Sequence, residues 1–499
     1  MKKILWLFAF GGLFLLSCSD DDVVVDQIPD PDPIVYTSGS ANFSNYVAVG
    51  NSITAGYSDN ALFIDGQTNS FPNMLAENFA LAGGGDFNIP FMADNLGGAT
   101  LGGQAILGNR LILDFSSGSP SPVEVSGTGT TEISNVLAGS FNNMGVPGAK
   151  SFHLVAEGYG NVAGVALGLA NPYYARFASS PNATIIGDAA VQNPTFFTLW
   201  IGNNDVLGFA ASGGAGVDQT GNLDPTTYGG SDITDPNVFA SVYNGLLGTL
   251  TANGADGVVV NLPDVKALPY FTTVPHNPIP LDQATADLVN GAYAAYNGGL
   301  AQLQQAGLIS AEELAKRTIS FSAGEGNAVV ILDEDLTDLT GINPALTNMR
   351  QATAEDLVVL LGLNFIGTLA NPQDPTSING VAVPLADQWV LTPEEQLAVE
   401  TATTAYNQTI EALATQYDLA LVDVNTYQNE IATQGAPLSD GSVVTDDFAT
   451  GGGFSLDGVH PAPRGSALLA NAIIEAINAK YGSNLPGVDP LDYTGLYIK

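Results

Sequence analysis

The chain alternates short apolar runs with longer stretches whose apolar residues recur at helical spacing. Tyr46–Val49, Thr195–Ile201, Gly257–Leu262, Thr318–Ser322, Ala328–Leu332 and Leu419–Val424 read as strands, and Pro236–Ala252, Leu281–Ala306, Pro393–Tyr417 and Pro461–Tyr481 as helices. Their order predicts an α/β fold with a mostly parallel sheet covered on both faces. Gly/Asn/Ser-rich stretches at 83–145 and 208–235, and a longer mixed segment at 265–390, read as insertions around the rim of that core. Substrate-facing loops commonly occupy such positions. Within the longest insertion, Leu357–Phe365 reads as core helix, with the lining of an acyl groove as the alternative.

The first residues follow another pattern. Lys2-Lys3 precede an apolar stretch that ends in Leu15-Leu16-Ser17-Cys18, and the sequence then turns acidic at Ser19-Asp20-Asp21-Asp22. A charged start, a short apolar core and small residues before a break describe an export signal, too short for a convincing membrane span. Cys18 is the only cysteine, so no intramolecular disulfide can form. Leu-Leu-Ser-Cys resembles a bacterial lipobox, and Ser-Asp-Asp-Asp the acidic tag of Bacteroidetes-type surface lipoproteins. That resemblance makes Cys18 a lipid anchor and places the protein on the outer membrane, exposed at the cell surface. Pro29-Asp30-Pro31-Asp32-Pro33 then favours an extended, solvated tether. The expected organisation is a signal segment at 1–17, anchor and linker at 18–41, one folded domain at 42–485 carrying the insertions, and a tail at 486–499.

Composition narrows the partners. The 12 Lys and Arg against 50 Asp and Glu give a formal charge of −38, which repels phosphate backbones, so nucleic acid is not an expected partner. Carboxylates are plentiful, but no Asp/Asn/Gly run has calcium-loop spacing. The sequence therefore predicts a solvated acidic surface, with no metal and no cofactor.

Four short motifs carry the candidate chemistry. Gly50-Asn51-Ser52-Ile53-Thr54 follows the first apolar run and puts Ser52 on a strand-to-helix turn. Asp457-Gly458-Val459-His460-Pro461 presents a carboxylate and an imidazole three residues apart. Gly202-Asn203-Asn204-Asp205 leaves a strand at the edge where open α/β sheets bind ligands. Met144-Gly145-Val146-Pro147-Gly148-Ala149 is a tight turn whose N–H groups can face an oxyanion. A serine hydroxyl needs a histidine to accept its proton, and the histidine needs an anion on its other nitrogen. Of the three histidines, His276 lies in the rigid loop Pro275-His276-Asn277-Pro278 and His153 sits between Phe152 and Leu154, in a packed or capping setting, which leaves His460 as the base.

In this order the four motifs resemble the SGNH branch of the GDSL hydrolase family. The resemblance implies a three-layer, flavodoxin-like α/β/α fold and a serine esterase or lipase. It makes Ser52 the nucleophile, His460 the base and Asp457 its orienting partner. The oxyanion donors become the Ser52 backbone N–H, Gly145 and the Asn204 side chain, with Gly148 able to fill the same block as Gly145. The chain departs from the family pattern at Asn51, where aspartate is usual, and at Ile53, where leucine is usual. A metallophosphoesterase, which needs histidine where Asn204 stands and more metal ligands than three histidines provide, does not fit. The expected substrate is a lipid or other small-molecule carboxylic ester, with an O-acetyl group on a polysaccharide as the alternative. A non-catalytic surface binding protein on the same scaffold is the reading from another class, and the intact Ser52, Asp457, His460 and Asn204 argue against it.

Overall fold

Four short apolar runs and one three-residue Asn-Met-Gly segment pair into one parallel sheet: β1 (Tyr46–Gly50), β2 (Asn143–Gly145), β3 (Phe196–Trp200), β4 (Asp256–Val260) and β5 (Ala420–Val422). The computed structural model describes residues 34–116 and 120–498; the signal segment, Cys18 and the acidic tag lie outside them. Across the sheet the order is β2-β1-β3-β4-β5, every pairing parallel. The runs are almost uninterruptedly apolar because helices cover both faces; Val47, Ala48, Val49, Phe197, Leu199, Val258 and Val259 are all fully buried.

The principal helices are α1 (Ser52–Ala55), α2 (Phe71–Ala80), α3 (Asn204–Ala211), α4 (Pro236–Leu250), α5 (Gln283–Gln305), α6 (Pro393–Gln416), α7 (Val424–Gln434) and α8 (Pro463–Tyr481). α2 packs on α8 in one layer and α4 on α6 in the other. Both α4 and α6 begin with proline behind a capping side chain, Asp235 and Thr392, so their start points are set locally. α8 is tied to the sheet by Tyr481, whose hydroxyl donates to the Gly257 carbonyl at 2.6 Å. Among the described residues no helix is long and apolar enough to cross a membrane.

Two expected strands do not join this sheet. Residues 318–322 stay irregular, because two asparagines of α5 take their backbone groups. Asn297 accepts from the Ile319 N–H and donates to its carbonyl, and Asn290 does the same for Phe321. Val330–Leu332 is a strand, but it pairs antiparallel with Met349–Gln351 inside the 265–390 insertion. The remaining sheet position is filled by β2, a segment read from sequence only as a turn.

The insertion has a core of its own, in which Val289, Tyr293 and Leu300 of α5 pack with Val330, Ile331 and Leu385. Arg350 is buried there, bonded to Asp333 and, through two nitrogens at 2.6 and 2.7 Å, to Asp356. Leu357–Phe365 is not a core helix. It is a two-residue strand, Leu357–Val358, followed by a single 3₁₀ turn at Leu360–Asn364, with Leu361 and Leu363 exposed. The 83–145 insertion folds into small sheets, Ala99–Leu101 pairing with Gln104–Leu107 and Leu111–Asp114 with Ser121–Glu124. Residues set apart as a tail pack onto it: the Tyr497 carbonyl accepts from the Leu113 N–H at 3.2 Å, and the Arg110 guanidinium lies over the Tyr497 ring.

Candidate active site

The strand order reverses between β1 and β3, and in open α/β sheets the ligand crevice lies at the carboxyl ends of the strands flanking such a reversal. Ser52 follows β1 and Asn204 follows β3. The handover from β1 is tight enough to exclude any side chain at Gly50, where a Cβ would meet the Trp200 carbonyl at 2.5 Å and Thr54 Oγ1 at 2.2 Å. Asn51 caps α1 by accepting from the Ile53 N–H, and its amide donates to Asn203 Oδ1 at 3.0 Å. The residue that departs from the family pattern thus ties the serine turn to the β3 turn. After one turn α1 stops at Gly56, whose φ is +83°, leaving Ser52 at the helix N-terminus.

Four hundred residues further on, the loop before α8 brings in the other two groups. His460 Nε2 lies 2.8 Å from Ser52 Oγ, and His460 Nδ1 lies 2.9 Å from Asp457 Oδ2. Asp457 Oδ1 accepts from the Val459 and His460 N–H groups at 2.9 and 2.8 Å, and Oδ2 from Asn60 N–H at 2.9 Å. Burial alone would raise this carboxyl. The charge and hydrogen bond of His460, with the backbone donors, outweigh burial and hold it down at about 2. It is an anion throughout the neutral range. Tyr57 packs against the His460 ring, centroids 4.7 Å apart, and limits its movement.

Two contributors carry no sequence motif. Asp59 and Asn60 form a turn with φ of +49° and +62°, a conformation that Asp and Asn tolerate better than most residues. Asn60 gives Asp457 its third backbone donor. Asp59 accepts from the Leu456 N–H and receives Ser455 Oγ on its own N–H, which clamps the acid loop. Turn-forming residues seven and eight positions after a serine give no signal of bonds to residues 455–457.

The oxyanion side needs one correction. Gly145, the expected donor, is the last residue of β2, and its N–H is committed to Asn143 Oδ1 at 2.9 Å. It is glycine for packing, since a Cβ would sit 2.3 Å from the Ala55 nitrogen. Gly148, the other glycine of that motif, lines the cleft with Ser52 and Asn204, and its φ of +78° turns the peptide there. The Ser52 and Gly148 N–H groups have no acceptor among the described residues. Asn204 Nδ2 donates one hydrogen to the Ala149 carbonyl at 2.9 Å, which fixes the amide beside the cleft and leaves its second hydrogen. Asp205 completes the lock: fully buried, it accepts from the Ser151 N–H and hydroxyl at 2.8 and 2.7 Å and so joins the β2 and β3 loops.

The other histidines stay out of this arrangement. His153 Nδ1 accepts from the Lys150 N–H and its ring stacks on Tyr159; burial and Lys150 push it down to about 4, so it is neutral. His276 lies in the 265–390 insertion, where its carbonyl accepts from the Val329 N–H.

The cleft has a volume of about 380 Å³ and its walls include Leu107, Tyr173, Leu207 and Tyr270. Val459 separates it from a second pocket of about 80 Å³, enclosed by Ile53, Trp200, Leu268, Tyr427, Ile431 and Leu468. This second pocket is lined almost wholly by carbon.

No protein-family model and no curated protein matches the chain. Among solved structures it is similar to a putative GDSL-like lipase from Parabacteroides merdae, at 10% identity and a TM-score of 0.32, over 89% of this chain and 100% of that one. A catalytic mutant of an acetylxylan esterase from Geobacillus stearothermophilus aligns at 10% identity and a TM-score of 0.31, over 88% and 97%. An extracellular lipase from Streptomyces rimosus aligns at 11% identity and 0.27, over 88% and 99%.

Proposed function

We propose that the protein is a serine hydrolase of the SGNH/GDSL kind that cleaves carboxylic esters through an acyl-enzyme. The observation that carries this reading is the hydrogen-bonded line Asp457–His460–Ser52, with spans of 2.9 and 2.8 Å, ending beside unpartnered backbone N–H groups. Ser52 Oγ adds to the ester carbonyl as His460 Nε2 takes its proton, and Asp457 stabilises the imidazolium. The oxyanion is received by the Ser52 and Gly148 N–H groups and the free Asn204 amide hydrogen, each worth about 3 kcal/mol in such sites. His460 returns the proton to the leaving alcohol. Water, deprotonated by His460, then releases the acid.

The favoured substrate is an acyl ester rather than a sugar acetate. Support comes from the carbon-lined pocket next to the cleft, which offers room for a short acyl chain, and from Tyr173 and Tyr270, which are less than a tenth exposed and form no open platform for a sugar. The N-terminal lipobox and acidic tag support placement on the outer surface of an outer membrane. The test is hydrolysis of p-nitrophenyl esters from acetate to palmitate, with Ser52→Ala beside the parent. Activity that disappears in Ser52→Ala and peaks beyond acetate is expected. An acetate-only profile would return the polysaccharide reading, and no serine-dependent activity would sink the hydrolase.

A further inference from the structure

Far from the serine in sequence, the fold collects three carboxylates that nothing in the proposed hydrolysis uses. Glu334 comes from the loop after the insertion's Val330–Leu332 strand, Asp387 from a 3₁₀ turn at Asp387–Trp389, and Glu395 from the first turn of α6. One oxygen from each lies within 4.8 Å of the others. None of the three forms a salt bridge among the described residues: the nearby Lys316 reaches Asp333 and Glu394 instead, and Arg350 is taken by Asp333 and Asp356.

Glu395 is the telling member. It is only 6% exposed. Its Oε2 has an ordinary structural duty, accepting from the Thr392 N–H and hydroxyl in a capping box. Its Oε1 is buried with no hydrogen-bond partner. The Asp387 carboxyl is close enough to hydrogen-bond with Glu395 when one of the two carries a proton, and ionised carboxylates offer none. A buried anionic oxygen left bare is costly, and two further carboxylates beside it raise that cost. The chain at the end of α3 closes over the cluster. A Cβ on Gly214 would lie 1.8 Å from Glu395 Oε1, and one on Gly213 would lie 2.0 Å from the Asp387 carbonyl oxygen. Next to the cluster is an open cleft of about 710 Å³ lined by Glu334, Asp387 and Asn348, and the Asn348 Oδ1 is also buried without a partner.

We propose that Glu334, Asp387 and Glu395 bind one calcium ion, which fastens the 265–390 insertion to α6. An irregular set of hard oxygen donors, open to water on one side, suits calcium better than the strict octahedron magnesium demands or the nitrogen and sulfur ligands zinc prefers. No residue of this site takes part in the proposed ester hydrolysis, so the two can fail separately. The competing arrangement is a proton shared among the carboxylates, which needs no metal.

The experiment is calorimetric titration of the full chain with calcium chloride after treatment with EGTA, paired with thermal unfolding in millimolar calcium or in EGTA. Stoichiometric binding of one ion and a rise in Tm of about 3 °C are expected. Glu395→Gln, which mimics a protonated carboxyl, should lose both. Should that variant not fold, Glu334→Gln at the exposed member should weaken binding about tenfold or more. The proposal is overturned if the parent shows neither heat nor shift. It is equally overturned if Glu395→Gln or Glu334→Gln keeps the parent's calcium response, or if Glu395→Gln stabilises a chain on which calcium has no effect, the result a shared proton gives.

Discussion

Asp457, at the carboxyl edge of the sheet, and Glu395, at the seam of the long insertion, are both nearly buried carboxylates, yet their surroundings push them in opposite directions. Asp457 receives three backbone N–H groups and the His460 imidazole, distributed over both oxygens, and is held at about 2. Glu395 receives two donors on one oxygen and none on the other, with Glu334 and Asp387 close by, and it is pushed upward. Burial is common to both, so burial does not decide the charge. The supply of donors does, and a carboxylate short of donors is one that still wants a proton or a cation. Asp59 stands between them. It lies beside Asp457 and accepts the Leu456 N–H, but burial outweighs that bond and the attraction of Arg110 and His460, and it is pushed up to about 7.

The sharpest way to break the contrast is to remove the charge that has been so fully supplied. Asp457→Asn should leave the fold intact and lower kcat by about 10⁴-fold, because an amide there favours the wrong histidine tautomer and no longer stabilises the imidazolium. Steady-state kinetics beside circular dichroism checks it. A loss under tenfold would reduce Asp457 to a loop-former at the start of α8.

A smaller effect is expected where the donors are neutral. Asn204→Ala should cost about 10²- to 10³-fold in kcat with KM little changed, since the amide acts on the oxyanion rather than on the bound ester. A change confined to KM would recast Asn204 as a substrate-binding group.

The smallest effect sharpens the middle case and is read in stability. Asp59 has a folded value near 7 against an unfolded value of 3.8, so the folded state holds its proton more tightly. Between those values the unfolded state binds fewer protons, and stability falls as pH rises from about 4 to 7, then levels off. Asp59→Asn keeps the acceptor for Leu456 and suits the positive φ. It should remove that slope, raising Tm by a few degrees at pH 8 and leaving it almost unchanged at pH 4. Thermal scans across pH test this, and an unaltered slope would mean that Asp59 titrates normally.

Much of this was legible in the chain. Four of the five sheet strands and the four long helices follow from apolar periodicity, with ends marked by Pro393 behind Thr392 or by Gly482 after α8. Ser52, Asp457 and His460 stood out because few residue types can form such a relay and only three histidines compete. The choice between Gly145 and Gly148 was not legible, because it depends on which N–H the Asn143 side chain takes. Nor was the fate of residues 318–322, whose strand-like pattern is satisfied by Asn290 and Asn297 of a helix rather than by a neighbouring strand. At position 51, where the family pattern has aspartate, the fold uses the asparagine amide as a bridge to Asn203, a partner only the tertiary structure names.

The sequence by itself determined the alternation of strand and helix, the caps, and the inventory of chemical groups, because these depend on neighbours a few residues apart. Only the tertiary structure decided which of those groups meet. Asn60 reaches Asp457 across 397 positions, and Glu334, Asp387 and Glu395 converge from three separate segments. Such meetings are set by strand order and by how an insertion's own core seats beside the sheet, and a one-dimensional pattern of apolar and polar residues carries no record of either.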